Sequence, residues 1–375
     1  MPTPTKTADT TPYEQPIPHT PFRYIWYIVK PYKWLALATV VIVVIGSAAS
    51  QGTNYFLKLI VDAVESGNTE MVVYYALAYP VTVFVVQVLF RLGSIVTRSW
   101  VVNGRKRGYD QLTDYTLRHS DRYFADRFAG SLMSKVANVV DAVDDVSVTM
   151  IWTHLTAFVS FLVTFGFIVT VDVWAGIVFV ALIIFLIVLN RRFGPTKTTL
   201  AKENSEAKTA VRGKIVDTFS NIQAVRQYAR FAEERVRVGE VTTRMTQANY
   251  RNWGYTEYMM FWNTFVLFCF SVVLFWLLVQ TWQAGGMGTG DFVLIISLYA
   301  QITGTLVFIG RAFESTARSV GEIQEGLEDI LLPHEVIDTP NAKQLSVNGG
   351  GIVWQQVDFT YEENRVFDKA LDHEK

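Results

Sequence analysis

The stretch VWAGIVFVALIIFLIVLN, residues 173–190, decides the fold of this chain. It contains no Asp, Glu, Lys or Arg, and as a helix it nearly crosses the hydrocarbon core of a bilayer, which is about 30 Å thick. In lipid every backbone N–H and C=O must find its partner inside the segment, so such a stretch has to be helical. Five further stretches share this character, and with the first they predict six membrane-spanning helices: residues 35–57, 71–90, 146–171, 258–290 and 292–310.

The distribution of Lys and Arg predicts how these helices are oriented. The net charge is only −1, but the connections on one side of the spans carry basic residues, whereas those on the other side, residues 62–70, 172 and 280–291, carry none. The positive-inside rule therefore predicts a multi-pass protein of the cell (inner) membrane with both termini in the cytoplasm. Lys58 is an exception near the outer end of the first span, from which it can reach the interface. The basic residues that mark the inner side are Arg23, Lys30, Lys33, Arg98, Arg105, Lys106, Arg107, Arg191, Arg192, Lys197, Arg311 and Arg318.

Composition divides the chain into four parts. Residues 1–20 are rich in Thr and Pro and have no apolar run of signal-peptide length, which predicts a disordered cytoplasmic tail. Residues 21–332 hold the six-helix domain. Residues 333–351 contain a proline and a run of glycines that are typical of a linker. Residues 352–375 begin with alternating apolar positions, which predict the first strand of a second domain that the chain ends before completing.

Two inner connections, residues 97–145 and 191–257, are far longer than ordinary links between helices. Their apolar residues recur at helical spacing, as in residues 215–225, so each is predicted to be a helical arm. The expected reversals are at residues 126–130 and 221–231. Arms of about 25 residues, with a rise of 1.5 Å each, would carry the reversals about 35 Å beyond the membrane. We expect a soluble partner there, because amphipathic arms would otherwise leave their apolar faces in water.

Four segments carry a resemblance to a known family. They are RYFADRFAGSLMSKVAN at 122–138 followed by Asp141, IVDTFSNIQAVRQY at 215–228 followed by Glu233 and Glu234, MGTGDFV at 287–293, and IVWQQVDFTY at 352–361. In this order, they resemble the membrane domain of ATP-binding cassette (ABC) exporters of the six-helix type, in which a nucleotide-binding domain follows in the same chain. The sequence departs from the family pattern at Val139, where Asp is usual, and at Asp217, Arg226 and Tyr228, where Glu, Lys and Phe are usual.

The resemblance implies an all-α integral membrane fold of ABC exporter type 1, or type IV, with six transmembrane helices and long cytoplasmic helical extensions. It implies two six-helix subunits, identical or different, in membrane lipid, alternating between inward- and outward-facing states. The implied function is ATP-driven export, and the aromatic spans favour an amphipathic or lipid-like substrate. ATP and Mg would be held by a nucleotide-binding domain missing from this chain. No nucleic acid partner is expected.

The resemblance also implies that the two arm reversals dock onto nucleotide-binding domains, with the second arm crossing to the partner subunit. An aromatic or apolar side chain surrounded by charge suits such a docking tip. The alternative is that the same residues only pack within helical hairpins. The residues predicted to couple the arms to the nucleotide-binding domains are Tyr123, Phe124, Asp126, Arg127, Phe128, Gly130, Val225, Arg226, Tyr228 and Phe231.

Tyr361 matches the aromatic residue that stacks on adenine in this family, although a tyrosine packing within its own domain is the alternative. Neither glycine cluster, at 285–290 or 349–351, leads into the Gly-Lys-Ser/Thr of a phosphate-binding loop. The sequence therefore offers no catalytic residues for ATP hydrolysis, and we expect the chain to be a truncated or split unit that acts as a translocase only within a complete transporter.

Polar side chains within the spans are candidates for contact with substrate, since in lipid they should face other helices or a pathway. His154 is more easily explained as a hydrogen-bonded packing residue than as a proton relay. Asp141, Asp144 and Asp145 indicate a solvated helix face rather than a cation site, so no metal is predicted. Cys269 has no second cysteine with which to form a disulfide. The pathway candidates are Gln51, Asn54, Gln87, His154, Asn263 and Gln301.

The main rival function is a secondary transporter or channel that needs no ATP. Such proteins more often carry carboxylates within their spans, or internal repeats, and neither is visible in this sequence. A third possibility is a membrane anchor that transports nothing and fails to stimulate any partner ATPase.

Overall fold

The structure, a computed structural model, describes residues 17–125, 129–334, 351 and 353. The chain divides into two units, Met1–Pro333 and His334–Lys375, and the helices of the described residues belong to the first. The predicted strand and most of the predicted linker lie outside the described residues. The helices are α1 Pro21–Val29, α2 Lys33–Glu65, α3 Thr69–Leu117, α4 Asp121–Ala125, α5 Ala129–Thr149, α6 Thr156–Val171, α7 Val173–Ser220, α8 Ile222–Gln227, α9 Phe231–Gln283 and α10 Thr289–Ile330.

Among the described residues, six helical segments are long and apolar enough to cross a membrane, and each contains most of one predicted span. They are Pro21–Glu65, Thr69–Leu117, Leu132–Val171, Val173–Ser220, Phe231–Gln283 and Thr289–Ile330. The predicted all-helical, six-span fold class is confirmed. The third segment is not a regular helix throughout, because a π-helical turn at Met150–Leu155 lies between α5 and α6.

The helices are much longer than a membrane is thick. α3 has 49 residues, α7 has 48 and α9 has 53, which corresponds to roughly 70–80 Å at 1.5 Å per residue. A span needs only about 20 residues, so the remaining turns extend beyond the bilayer as the predicted arms. We call the described part of residues 97–145 the first arm and residues 191–257 the second. We call their side of the bundle the arm side and the opposite side, with its short connections, the turn side.

Asp172 makes the shortest connection, a single residue between α6 and α7. Its backbone is extended, with φ −148° and ψ 117°, and one carboxylate oxygen accepts a hydrogen bond from the Ala175 N–H at 3.0 Å. The other oxygen accepts a hydrogen bond from the Thr281 hydroxyl at 2.9 Å, near the end of α9. A side chain that caps the start of one helix therefore also holds the end of another.

Two hydrophobic cores hold the helices together. On the arm side, α1, α3, α5 and α10 enclose a core that includes Tyr24, Leu112, Val140, Ile323 and Leu327. On the turn side, α6, α7, α9 and α10 enclose a core that includes Ile168, Phe179, Leu274, Leu278 and Ile295. Because α10 contributes to both cores, it connects the two sides of the bundle. α7 and α9 pack extensively against each other, and α2 packs in the same way against α3.

The segment MGTGDFV at 287–293 joins the start of α10 to the end of α2. Asp291 forms an ion pair with Lys58, and the Gly290 N–H donates a hydrogen bond to Asp62 Oδ1 at 3.1 Å. Lys58, the exception to the charge pattern, is therefore paired with an acidic residue of another helix. A Cβ atom at position 290 would overlap the Asp62 carboxylate and lie 2.7 Å from the Lys58 carbonyl oxygen, so only glycine allows this approach.

We expect Gly290→Ala to destabilise the helical bundle, because the Lys58 carbonyl is backbone and cannot move aside easily. Overpacking of this kind costs about 1–3 kcal/mol. The matched control is Gly304→Ala in α10, where an added Cβ would meet no atom within 4 Å. Thermal unfolding of the purified chain in detergent, followed by tryptophan fluorescence, should show a lower midpoint for the first variant only. Equal midpoints would contradict the proposed close contact.

Candidate functional site

Three of the six predicted pathway residues, Asn54, Asn263 and Gln301, form hydrogen bonds between side-chain amides of different helices. Asn54 Nδ2 of α2 donates to Gln301 Oε1 of α10 at 2.7 Å. Asn263 of α9 and Asn190 of α7 bond to each other, at 2.9 and 3.3 Å. Four of the polar side chains in the spans thus find partners on neighbouring helices, as the apolar surroundings require.

Gln51 of α2 is buried against α6, where its Oε1 lies 3.4 Å from the Thr164 hydroxyl. Gln87 differs from the other candidates, since its side chain is exposed on α3 among exposed apolar residues such as Phe84 and Val88. The structure therefore brings Gln51 into contact with another span but leaves Gln87 on the outer surface of this chain.

His154 lies on the π-helical turn, where its Nε2 is 3.0 Å from the Thr316 hydroxyl and its ring is 4.3 Å from the ring of Phe313. Its Nδ1 is buried and has no hydrogen-bond partner among the described residues. On the same turn, Trp152 Nε1 donates to the Thr97 hydroxyl at 3.1 Å. Sequence analysis missed Thr316, Phe313 and Thr97, because nothing in the local sequence marks a π turn, and such turns redirect side chains.

The tip of the second arm presents the predicted coupling residues together. α7 ends at Ser220, the short helix α8 follows, and α9 begins at Phe231, so the reversal lies where it was predicted. The chain turns through Ala229, which has φ 53°. Tyr228 is 75% exposed and Phe231 56% exposed. Of the other two coupling candidates at this tip, Arg226 is exposed and Val225 is half-buried.

Ion pairs and hydrogen bonds hold the two helices of the second arm together. Near the tip, Lys214 Nζ of α7 lies 3.0 Å from Glu234 Oε2 of α9, and the Thr218 hydroxyl donates to the same oxygen at 3.1 Å. Closer to the spans, Lys197 Nζ donates to Asn252 and Thr256 of α9 at 3.0 and 2.6 Å. The hydrogen bond from Lys214 is the main cause that lowers the pKa of Glu234.

The tip of the first arm is fastened to the end of α10. Tyr123 is only 5% exposed, its ring stacks on His119 at 3.9 Å, and its hydroxyl donates to the Asp329 carbonyl at 3.4 Å. Lys135 forms an ion pair with the Asp329 side chain, and the Tyr115 hydroxyl donates to the Leu332 carbonyl at 2.8 Å.

The remaining coupling candidates of the first arm differ in their surroundings. Phe124 is partly exposed and packs edge-on against Tyr123, and Gly130 is exposed in α5. Asp126, Arg127 and Phe128 lie outside the described residues, as does Tyr361. In this structure Tyr123 contacts α10 of its own chain, a use of the side chain that the sequence motif did not indicate.

The acidic face of α5 has a basic neighbour. Arg105 of α3 forms an ion pair with Asp141 and lies 3.4 Å from the Asp144 carboxylate. Within residues 17–125 and 129–334 no group of three His, Cys, Asp or Glu side chains is placed to hold a metal ion. Cys269 is exposed on α9.

Comparison with protein families gives a match over most of the chain. The model of the family described as the ABC transporter transmembrane region matches residues 36–306. Among solved structures, a bacterial Atm1-family ABC exporter with ATP bound has a TM-score of 0.69 and 16% sequence identity, over 84% of this chain and 56% of that chain. At this identity the likeness shows the fold alone.

Two curated relatives cover different shares of the chain. A putative multidrug export ATP-binding/permease protein of Bacillus subtilis is 21% identical over 363 residues, which is 92% of this chain and 60% of the relative. An uncharacterized ABC transporter ATP-binding protein of Haemophilus influenzae is 23% identical over 252 residues, which is 66% of this chain and 40% of the relative. The chain thus spans less than two thirds of either relative.

We expect Glu234→Gln to loosen the tip of the second arm at neutral pH, because Lys214 of α7 loses its charged partner on α9. Because the pKa of Glu234 is lowered in the folded arm, its contribution is present above the ordinary glutamate pKa and is lost as the pH falls through the folded value. Hydrogen exchange at residues 214–238, corrected for the intrinsic rate, should rise about twofold to fivefold at pH 7, and the difference from the native chain should vanish in acid. Glu240→Gln, on an exposed face of α9, is the control and should leave exchange unchanged. Equal protection of both variants would contradict this role of Glu234.

Proposed function

The chain belongs to the ABC transporter transmembrane region family, and from this premise we propose that it supplies the membrane-spanning part of an ATP-driven exporter. It is a multi-pass integral membrane protein with an exporter-type fold. The observation that carries the proposal is the second arm, in which two continuous helices hold exposed aromatic side chains far from the spans. A rigid lever with such a tip suits contact with a soluble domain that moves.

The proposed assembly contains two six-helix subunits, identical or different, and two nucleotide-binding domains that bind ATP and Mg. The arm tips contact these domains, with the second arm reaching the domain of the partner subunit. Closure of the domains on ATP pulls the arms together, and the spans alternate between inward- and outward-facing states. The charge pattern supports an inner-membrane orientation with the arms and both termini in the cytoplasm.

The proposed substrate is amphipathic or lipid-like. The spans are mostly apolar, and polar pairs such as Asn54 with Gln301 are isolated groups that could bind the polar part of such a molecule. His154, whose Nδ1 is buried without a partner among the described residues, is a further candidate contact. The relative from Bacillus subtilis is named for multidrug export, which is compatible with this class of substrate.

The coupling role is tested with Tyr228→Ala in the complete assembly that contains the nucleotide-binding domains. We expect ATP hydrolysis and ATP-dependent efflux to fall about tenfold or more, because interface hot spots of this kind contribute roughly 2 kcal/mol or more. Tyr250→Ala is the matched control, since Tyr250 is 77% exposed on α9 of the same arm but lies away from the tip. A photo-cross-linking residue at 228, but not at 250, should capture a nucleotide-binding domain. Unchanged activity of Tyr228→Ala together with no captured domain would refute the coupling role.

The pathway role is tested by separating packing from substrate contact. Asn54→Leu alone leaves the Gln301 amide without its partner and should lower stability by about 0.5–1.5 kcal/mol. Asn54→Leu/Gln301→Leu replaces both partners and should recover most of that loss. If the pair contacts substrate, the stable double variant still shows altered stimulation of ATP hydrolysis by substrate. If stimulation is unchanged in the double variant, the pair serves packing alone.

A further inference from the structure

The helix α1 lies beside the six-helix bundle as a separate amphipathic helix. One of its faces, with Tyr24, Tyr27 and Ile28, is buried in the arm-side core. The 3-10 turn at Lys30–Tyr32, which contains Pro31, ends the helix, and Tyr32 has φ −105° and ψ 17°, outside the helical range. α1 is thus anchored in the protein immediately before the first span begins.

The opposite face of α1 and the start of α2 carry large exposed aromatic side chains. Phe22 is 61% exposed, Trp26 57% and Trp34 71%. Phe22 and Trp26 are four residues apart and therefore share one side of the helix. Tryptophan is enriched where a membrane meets water, because its ring is apolar and its indole N–H is polar.

The same surface is basic. Arg23, Lys30 and Lys33 are exposed. Among the described residues, none of these three side chains takes part in an ion pair. No Asp or Glu occurs in the sequence between Gln15 and Val61. Lys33 Nζ lies 5.4 Å from the centre of the Trp34 ring, so cation and aromatic ring are presented together.

We propose that this surface, formed by Phe22, Arg23, Trp26, Lys30, Lys33 and Trp34, binds the anionic headgroups of membrane lipids. The first span begins within a turn of Lys33, so the surface is held at the depth of the headgroups. The three cations have no carboxylate near them in the sequence, so they are available to pair with the phosphates of lipids that carry a net negative charge. The aromatic rings enter the boundary between the headgroups and the acyl chains. This binding depends only on the chain spanning a membrane, and it is separate from the proposed transport.

Native mass spectrometry of the purified chain in detergent, titrated with dioleoylphosphatidylglycerol or dioleoylphosphatidylcholine, tests the proposal. The variant is Arg23→Gln/Lys30→Gln/Lys33→Gln. Each basic residue near an anionic surface contributes roughly fivefold to the affinity, so we expect the variant to bind phosphatidylglycerol at least about tenfold more weakly and phosphatidylcholine as the native chain does. The control Lys208→Gln/Arg235→Gln/Arg244→Gln removes the same charge from exposed positions of the second arm and should bind both lipids as the native chain does.

A second variant, Trp26→Ala/Trp34→Ala, separates the contribution of the rings. We expect it to weaken the binding of both lipids by a similar factor, because insertion of a ring does not depend on headgroup charge. The proposal is overturned if the two triple variants bind phosphatidylglycerol equally well. It is also overturned if the α1 variants leave lipid binding unchanged and instead dissociate a dimer, which the same spectra would reveal, because a second copy of the chain would then cover this surface.

Discussion

A backbone inside hydrocarbon has no water to bond with, so each of the six spans must satisfy its hydrogen bonds as helix from one side of the bilayer to the other. In α7 and α9 the helix continues for tens of residues beyond that need, and the same rods that cross the membrane form the second arm. The constraint applies equally to side chains. Asn54 bonds to Gln301, and Asn190 bonds to Asn263, so polar groups fix which helices are neighbours.

The two arms are attached to the protein in different ways. The first is fastened at its tip to the end of α10 through contacts of Tyr123, Lys135 and Tyr115. The second is bound mainly within itself, by contacts between α7 and α9 such as that of Lys214 with Glu234, and its tip keeps its aromatic rings exposed. α10 also contributes to the hydrophobic cores on both sides of the bundle, which makes it the element most directly connected to the rest.

Features set by composition and periodicity along the chain could be predicted from the sequence, and features set by contacts between distant parts of the chain could not. Apolar length predicted the six spans, and helical spacing predicted the arms, with a reversal within residues 221–231. The π turn at Met150–Leu155 joins α5 to α6 and places His154 beside Thr316. It depends on how α5 and α6 pack against the other helices, which leaves no mark in the sequence. The motif around Tyr123 predicted a docking tip, whereas burial of that ring depends on His119 and on residues about 200 positions away. The docking and pathway roles stay predictions.

The single-residue connection at Asp172 has a consequence for how the chain is made. With a single residue between α6 and α7, neither helix can move far along the membrane normal without the other. We therefore expect the two to enter the membrane together as a hairpin. Among Asp, Glu, Lys and Arg, Asp172 is the only residue between Val146 and Asn190, so a single carboxylate has to cross to the turn side. Its bonds to Ala175 and Thr281 then hold it there.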